Sequence, residues 1–205
     1  FKMRYLSIDL ETTGLDHINH QIIEFGAVLE DTNNILPMNE LPVYHTYIIP
    51  PKNQLYGDIY ALNLNASIIE KLKNRKMLEN TYNFVKPEDL ADDFLFWLHS
   101  QGFEIKTNNE GTSDEYKYVE TLNVAGKNFN GFDKSFLEKI PGFTKKIRMR
   151  QRVMDPAVLF VDWHNDECLP SLDECKVKAG IEGKVAHLAV DDAKDVIELL
   201  RKNYV

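Results

Sequence analysis

The stretch "MRYLSIDLETTGLD", residues 3–16, constrains the fold of this chain more than any other. Its first eight residues are mostly apolar and β-prone, and they read as a buried strand. A buried strand avoids charge, because an ionised carboxylate loses its hydration there. Yet this strand ends in Asp9 and Glu11, two residues apart. On a strand such a pair points to one face. Two like charges side by side are tolerable in water, or with a cation between them. Taken alone, the pair also fits a solvated strand end.

Further strands follow. "QIIEFGAVLED" sets Ile23, Phe25, Ala27 and Leu29 against Glu24, Gly26 and Val28. "VYHTYIIPP" is a third, stopped by Pro50 and Pro51. Helices then begin. "NASIIEKLKNR" offers Asn65 as an N-cap, and "KPEDLADDFLFWLHSQG" starts near Pro87 and ends before Gly102. Leu90, Phe94, Trp97 and Leu98 fall at helical spacing and should face the core. The turn "NNEGTSDE" predicts a hairpin entering a buried strand near Leu122 to Ala125. "GFDKSFLEKI" is a short helix, and "KKIRMRQRVMD" a basic segment leading into a strand. "SLDECKVKAG" has the capping-box form, with Ser171 and Glu174 three residues apart and Gly180 as the stop. "AHLAVDDAKDVIELLRKN" places Ala189, Ala193, Val196, Ile197 and Leu200 on one stripe of a final amphipathic helix. Strands first, then helices mixed with strands, predict an α/β fold: a central mixed sheet flanked by helices.

With 205 residues the chain suffices for one such domain with a full core. No apolar run approaches the ~20 residues that cross a bilayer, and the N-terminus shows no signal-peptide pattern. The first residue is Phe1, so the start could be trimmed. Cys168 and Cys175 are the only cysteines, too few for a disulfide framework or a thiolate zinc site. Reduced thiols and a cytoplasmic protein are expected. A net charge of −8 argues against avid nucleic-acid binding through a basic footprint, but leaves room for an enzyme that holds a short substrate through metal ions.

Two more carboxylates stand in similar settings. Asp133 lies in "GKNFNGFDKSFL", where a strand hands over to a helix, and Asp192 in "HLAVDDAKD", at the start of the last helix. Asp9, Glu11, Asp133 and Asp192, with His187, could converge at one end of a sheet. Oxygen ligation suits Mg²⁺ or Mn²⁺ rather than zinc. Two such ions ~4 Å apart are the usual device for displacement at phosphorus.

In this order "IDLETTGLD", "GKNFNGFDKSFL" and "HLAVDDAKDV" resemble the three motifs of the DEDDh (DnaQ-like) 3′–5′ exonucleases of the ribonuclease H-like superfamily. The resemblance runs from about Met3 to about Leu200. It implies a single exonuclease domain over residues 1–205 with a five-stranded type of mixed sheet, and a possible hairpin insertion around residues 103–120. It implies that Asp9, Glu11, Asp133 and Asp192 bind two divalent ions, and that His187 is the general base. Thr12, Thr13 and Gly14 would present backbone to the terminal nucleotide, and Leu15 would pack on its base. Leu64, Asn65, Asn128 and Phe132 would shape the nucleotide pocket. The products would be nucleoside 5′-monophosphates.

Asp191 and Asp192 are adjacent, and only one should be a ligand. On an ideal helix Asp191 lies one turn from His187, whereas Asp192 lies ~140° round. The same-face argument favours Asp191. The family pattern picks Asp192, which requires His187 to sit in a loop or fraying turn and leaves Asp191 to solvent.

The leading expectation is therefore a metal-dependent 3′–5′ exonuclease acting on the 3′ ends of single-stranded nucleic acid, with DNA weakly favoured. An oligoribonuclease-type RNA exonuclease and a catalytically silent binding module, serving a polymerase or repair partner, are the alternatives. A membrane partner is not expected. The basic run Lys145, Lys146, Arg148, Arg150 and Arg152 reads either as a guide for phosphates or, slightly better, as a solvated face. Lys71, Lys73, Arg75 and Lys76 read the same way. His17, His20, His45, His99 and His164 match no motif and read as structural. Trp97 and Trp163 read as core. The stretches Leu36–Tyr60 and Asn108–Glu115 exceed the compact members of the family, as a lid, a partner surface or decoration.

Overall fold

The computed structural model describes residues 3–205. Seven strands form the sheet: β1 (Arg4–Thr12), β2 (Ile22–Asp31), β3 (Val43–Ile48), β4 (Phe84–Val85), β5 (Lys106–Asn108), β6 (Tyr116–Ala125) and β7 (Ile147–Met149). The helices are α1 (Ile59–Leu64), α2 (Ala66–Lys73), α3 (Arg75–Leu78), α4 (Leu90–Ser100), α5 (Asp133–Leu137), α6 (Phe143–Lys146), α7 (Ala157–Phe160), α8 (Leu172–Ala179) and α9 (Ala189–Arg201). β1 pairs antiparallel with β2 and parallel with β6, so the sheet is mixed. A run of five, β3-β2-β1-β6-β7, is the expected sheet. The two-residue β4 and the three-residue β5 extend its edges.

The sheet is covered on both faces, which explains why β1 and β2 are buried at nearly every position. On one face Leu6, Ile8, Leu10, Phe25, Ala27 and Leu29 pack against α4, α5 and α6 through Leu90, Phe94, Leu98, Phe136, Leu137 and Phe143. On the other, Tyr5 and Val28 pack against Ala193, Val196, Ile197 and Leu200 of α9. The residues that alternate with the apolar set on β2 therefore do not face water. Glu24 is only 2% exposed and Glu30 is fully buried, and both turn towards α9. The side chain absent at Gly26 is what lets the helix approach. A Cβ there would lie 2.6 Å from the Ala189 carbonyl carbon.

Local signals hold where their partners are local. Ser171 and Glu174 close a reciprocal capping box on α8, and Gly180 ends that helix in the left-handed conformation. The hairpin of β5 and β6 forms as the turn residues predict. Three expectations shift. α4 begins at Leu90, after a turn containing Pro87. Asn65 occupies the N-cap position of α2 without capping it, because its side chain is drawn to the end of β1. Trp163 is not core: it is 80% exposed in the polar turn Asp162–Asp166, while Trp97 packs against the core as expected.

Cys168 and Cys175 are both free thiols. No helix among the described residues is long and apolar enough to cross a membrane.

Candidate metal centre

The four acidic side chains reach the site from three elements. Asp9 and Glu11 project from the C-terminal half of β1 towards α9. Asp133 opens α5, and its Oδ1 accepts the Leu10 backbone N–H at 3.1 Å, which ties that helix to β1. Asp192 lies in the first turn of α9 and is buried, whereas Asp191 is exposed. His187 is exposed in the loop before the helix, with a left-handed φ of 52°. That loop conformation removes the helical phase argument, so His187 and Asp192 meet. One ligand atom each from Glu11, His187 and Asp192 lies within 4.8 Å of the others. Asp9 and Asp133 stand outside this trio but interact electrostatically with it or with each other.

The electrostatics answer the puzzle of the paired charges. Burial pushes Glu11 up to about 8, helped by Asp192 and Glu24 and opposed by a hydrogen bond from Asn65. Burial pushes Asp192 up to about 7, with Asp195 and Asp191 adding and the Ala186 N–H subtracting. Burial likewise brings Asp133 to about 7 against the pull of backbone N–H groups. Asp9 is raised well above the carboxylate range by burial first, then by Asp133, Asp192, Glu11 and Glu24. Such a cluster cannot hold all its negative charges at neutral pH unless cations compensate them. Asp192 Oδ1 is also buried without a hydrogen-bond partner. An all-carboxylate set with one imidazole, and an acceptor left over, fits hard divalent cations.

The residues expected to contact a nucleotide divide into two groups. Thr12 and Thr13 are buried and serve the scaffold. Thr12 Oγ1 donates to the Gly14 carbonyl at 2.8 Å, and Thr13 Oγ1 donates to the Tyr56 carbonyl at 2.5 Å. Asp58 N donates to the Thr13 carbonyl at 2.8 Å, and Asn65 Nδ2 to the Thr12 carbonyl at 3.0 Å. Gly14 is boxed in, since a Cβ would lie 2.2 Å from His20 Nδ1. Leu15 is 81% exposed, and Leu64 is exposed on α1. Asn128 is exposed at a left-handed φ of 54°, with its N–H donated to Asp155 at 2.8 Å. Phe132 is half-buried, its ring 5.0 Å from that of Phe136.

Most of the basic run is occupied within the molecule. Lys145 and Arg148 lie over the rings of Tyr116 and Tyr118 at 3.9 and 3.8 Å. Lys146 pairs with Asp92, and Arg150 donates to the Thr121 carbonyl. Lys71 likewise donates to the Tyr47 hydroxyl.

Sequence reasoning singled out neither Glu24 nor Asp155, while His45, read as structural, pairs with Glu24. Glu24 sits opposite Glu11 in the β1–β2 register. Its Oε1 lies 2.7 Å from His45 Nε2, and its Oε2 accepts the Ala189 N–H at 3.0 Å. A carboxylate inside the otherwise apolar "IIEFGAVLED" was the available signal.

Residues 6–75 match the family model described as Exonuclease, of the RNase T type. The fold is similar to that of E. coli exonuclease I in complex with a dT13 oligonucleotide, with a TM-score of 0.60 and 18% identity over 98% of this chain and 41% of that one. Exonuclease I from Methylocaldum szegediense gives a TM-score of 0.59 and 16% identity, covering 98% and 40%. A 3′-exonuclease described in the 3′-end-specific recognition of a histone mRNA stem-loop gives 0.60 and 14%, covering 98% and 83%. The chain thus spans about two fifths of the exonuclease I chains it matches. No curated protein matches it in sequence.

Proposed function

We propose that this chain is a metal-dependent 3′–5′ exonuclease that removes nucleoside 5′-monophosphates from single-stranded nucleic acid. The observation that carries the reading is the meeting of Glu11, His187 and Asp192 within 4.8 Å, beside Asp9 and Asp133. Asp9, Glu11, Asp133 and Asp192 would hold two divalent cations, Mg²⁺ or Mn²⁺. When bound, these supply charge stabilisation at phosphorus. His187 is the only basic side chain in that group. It is exposed beside the carboxylates, where its imidazole can take a proton from an attacking water.

Single-stranded substrates are favoured by the surface beside the cluster. α1 has no buried residue although five of its six residues, Ile59, Tyr60, Ala61, Leu62 and Leu64, are apolar. Ile59 and Tyr60 are 87% and 78% exposed, and Leu15, which follows the Thr12–Gly14 turn at the end of β1, is exposed as well. Apolar and aromatic groups next to a phosphate-binding site accept unstacked bases of any sequence. E. coli exonuclease I is described in complex with single-stranded DNA, and the 3′-exonuclease with a histone mRNA stem-loop. DNA is weakly favoured for this chain. An oligoribonuclease-type activity is the second reading, supported by the overall acidic charge, which suits short substrates.

The test is digestion of 5′-labelled single-stranded DNA and RNA, short and long, in Mg²⁺, with Asp9→Ala as control. A ladder shortening from the 3′ end, absent in the control, is expected, and the preferred strand names the substrate. The absence of a ladder on every strand would overturn the exonuclease reading in favour of a silent binding module.

A further inference from the structure

We propose that Glu24 is a positioning residue: its buried carboxylate fixes the first turn of α9, and with it Asp192 and the His187 loop, against β1. The proposal rests on the metal-site reading above. It begins with a deficit in the sequence. The N-cap position of α9 is held by Leu188, which has no side-chain acceptor and makes no capping bond. A helix start leaves its first N–H groups without intrahelical partners, and an apolar N-cap leaves them unmet. Glu24 supplies the missing acceptor from another element, 165 residues away in sequence, through Oε2 and the Ala189 N–H at 3.0 Å.

The other end of the helix is held in the same way. Arg201 donates to Glu30 Oε2 through Nε at 3.0 Å and Nη2 at 2.5 Å. Glu24 and Glu30 lie six residues apart on one face of β2, about 20 Å at ~3.3 Å per residue. Ala189 and Arg201 lie twelve apart on α9, about 18 Å at ~1.5 Å per residue. The helix and the strand are matched in length, and a glutamate clamps each end. Gly26 between them removes the Cβ that would push the Ala189 backbone away.

The two clamps differ in what they serve. Glu30 and Arg201 sit at the end remote from the site. Glu24 stands directly across from Glu11, and the helix turn it holds carries Asp192. His45 Nε2 lies 2.7 Å from the other oxygen of Glu24. It limits the rotation that would release Ala189. Second-layer groups that orient metal ligands typically change metal affinity by about 10–100-fold when removed.

The test compares Glu24→Ala, Glu24→Gln and, as the remote control, Arg201→Ala. Binding of Mn²⁺ is measured by calorimetry, and hydrogen exchange at Ala189–Ala193 by mass spectrometry. Glu24→Ala should weaken Mn²⁺ binding by about 10–100-fold and speed exchange in that turn. Glu24→Gln keeps an acceptor for the Ala189 N–H and should restore most of the loss. Arg201→Ala should lower Tm while leaving Mn²⁺ affinity unchanged. Wild-type affinity in Glu24→Ala, or an equal loss in Arg201→Ala, would overturn the proposal. If the wild type itself binds no Mn²⁺, the metal-site reading falls, and unchanged exchange in Glu24→Ala would separately overturn the positioning role. Should Glu24→Ala fail to fold, Gly26→Ala displaces the same turn without touching Glu24. It must then weaken Mn²⁺ binding, and wild-type affinity would refute the coupling.

Discussion

Replacing Asp192 by Asn should stabilise the metal-free protein. The carboxyl is buried, takes a backbone hydrogen bond from Ala186, and leaves Oδ1 without a partner. Asn keeps the size and an acceptor while removing the charge. A folded-state value of about 7 against the ordinary 3.8 means that the folded chain binds a proton the unfolded chain has already released. Above both values the ionised group therefore opposes folding, and its contribution is lost as pH rises from about 4 to about 8. The gap is worth about 4 kcal/mol at about 1.4 kcal/mol per pH unit. Relaxation and water entry should leave about 2 kcal/mol, or about 4–8 °C in Tm for a chain of this size. The assay is thermal unfolding in chelator at pH 8 and at pH 5. At pH 5 the folded carboxyl is already protonated, so the gain there should be less than half. Saturating Mn²⁺ at pH 8 should reverse the order, because the wild type then gains more from the ion. No gain at pH 8 in chelator, or an equal gain at both pH values, would refute the reasoning.

Other outcomes follow from single contacts. His187→Ala should cut turnover by about 10²–10⁴ while Mn²⁺ affinity, measured by calorimetry, is largely kept; a near-normal rate would remove the base assignment. Excess chelator should abolish nuclease activity and added Mg²⁺ or Mn²⁺ restore it, and activity that survives chelation would exclude a metal-dependent reaction. Arg201→Ala leaves the fully buried Glu30 without its cation and should cost about 3–5 kcal/mol by urea unfolding. Ser171→Ala opens the α8 capping box and should cost about 1 kcal/mol with no change in nuclease rate.

The parts of the molecule that were legible in the sequence are those with local causes. The strand ending in Asp9 and Glu11, the α8 capping box and the buried stripe of α9 depend on residues close in the chain. The candidate site drew notice through its unusual charges, since carboxylates at the ends of apolar segments need an explanation wherever they lie. Glu24 did not, because its role depends on cross-strand register with Glu11 and on a helix that packs on that face from 165 residues away. Asn65 was misread as a cap for the same reason. Its neighbours in sequence suggest α2, while its partner is the Thr12 carbonyl across the fold. Trp163 shows the converse limit, for hydrophobicity alone could not reveal that the surrounding turn, from Asp162 to Asp166, closes on itself through polar bonds.

The bonds from Thr12 and Thr13 to Tyr56, Asp58 and Asn65 fasten both ends of the apolar α1 to the strand that carries Asp9 and Glu11. Gly57 packs so tightly on Thr13 that a Cβ would lie 2.2 Å from its carbonyl oxygen. The helix is therefore an outgrowth of the central strand rather than a flap over it. The spacing between its apolar surface and the carboxylates is a built-in ruler, set by hydrogen bonds to the backbone carbonyls of Thr12, Thr13 and Tyr56.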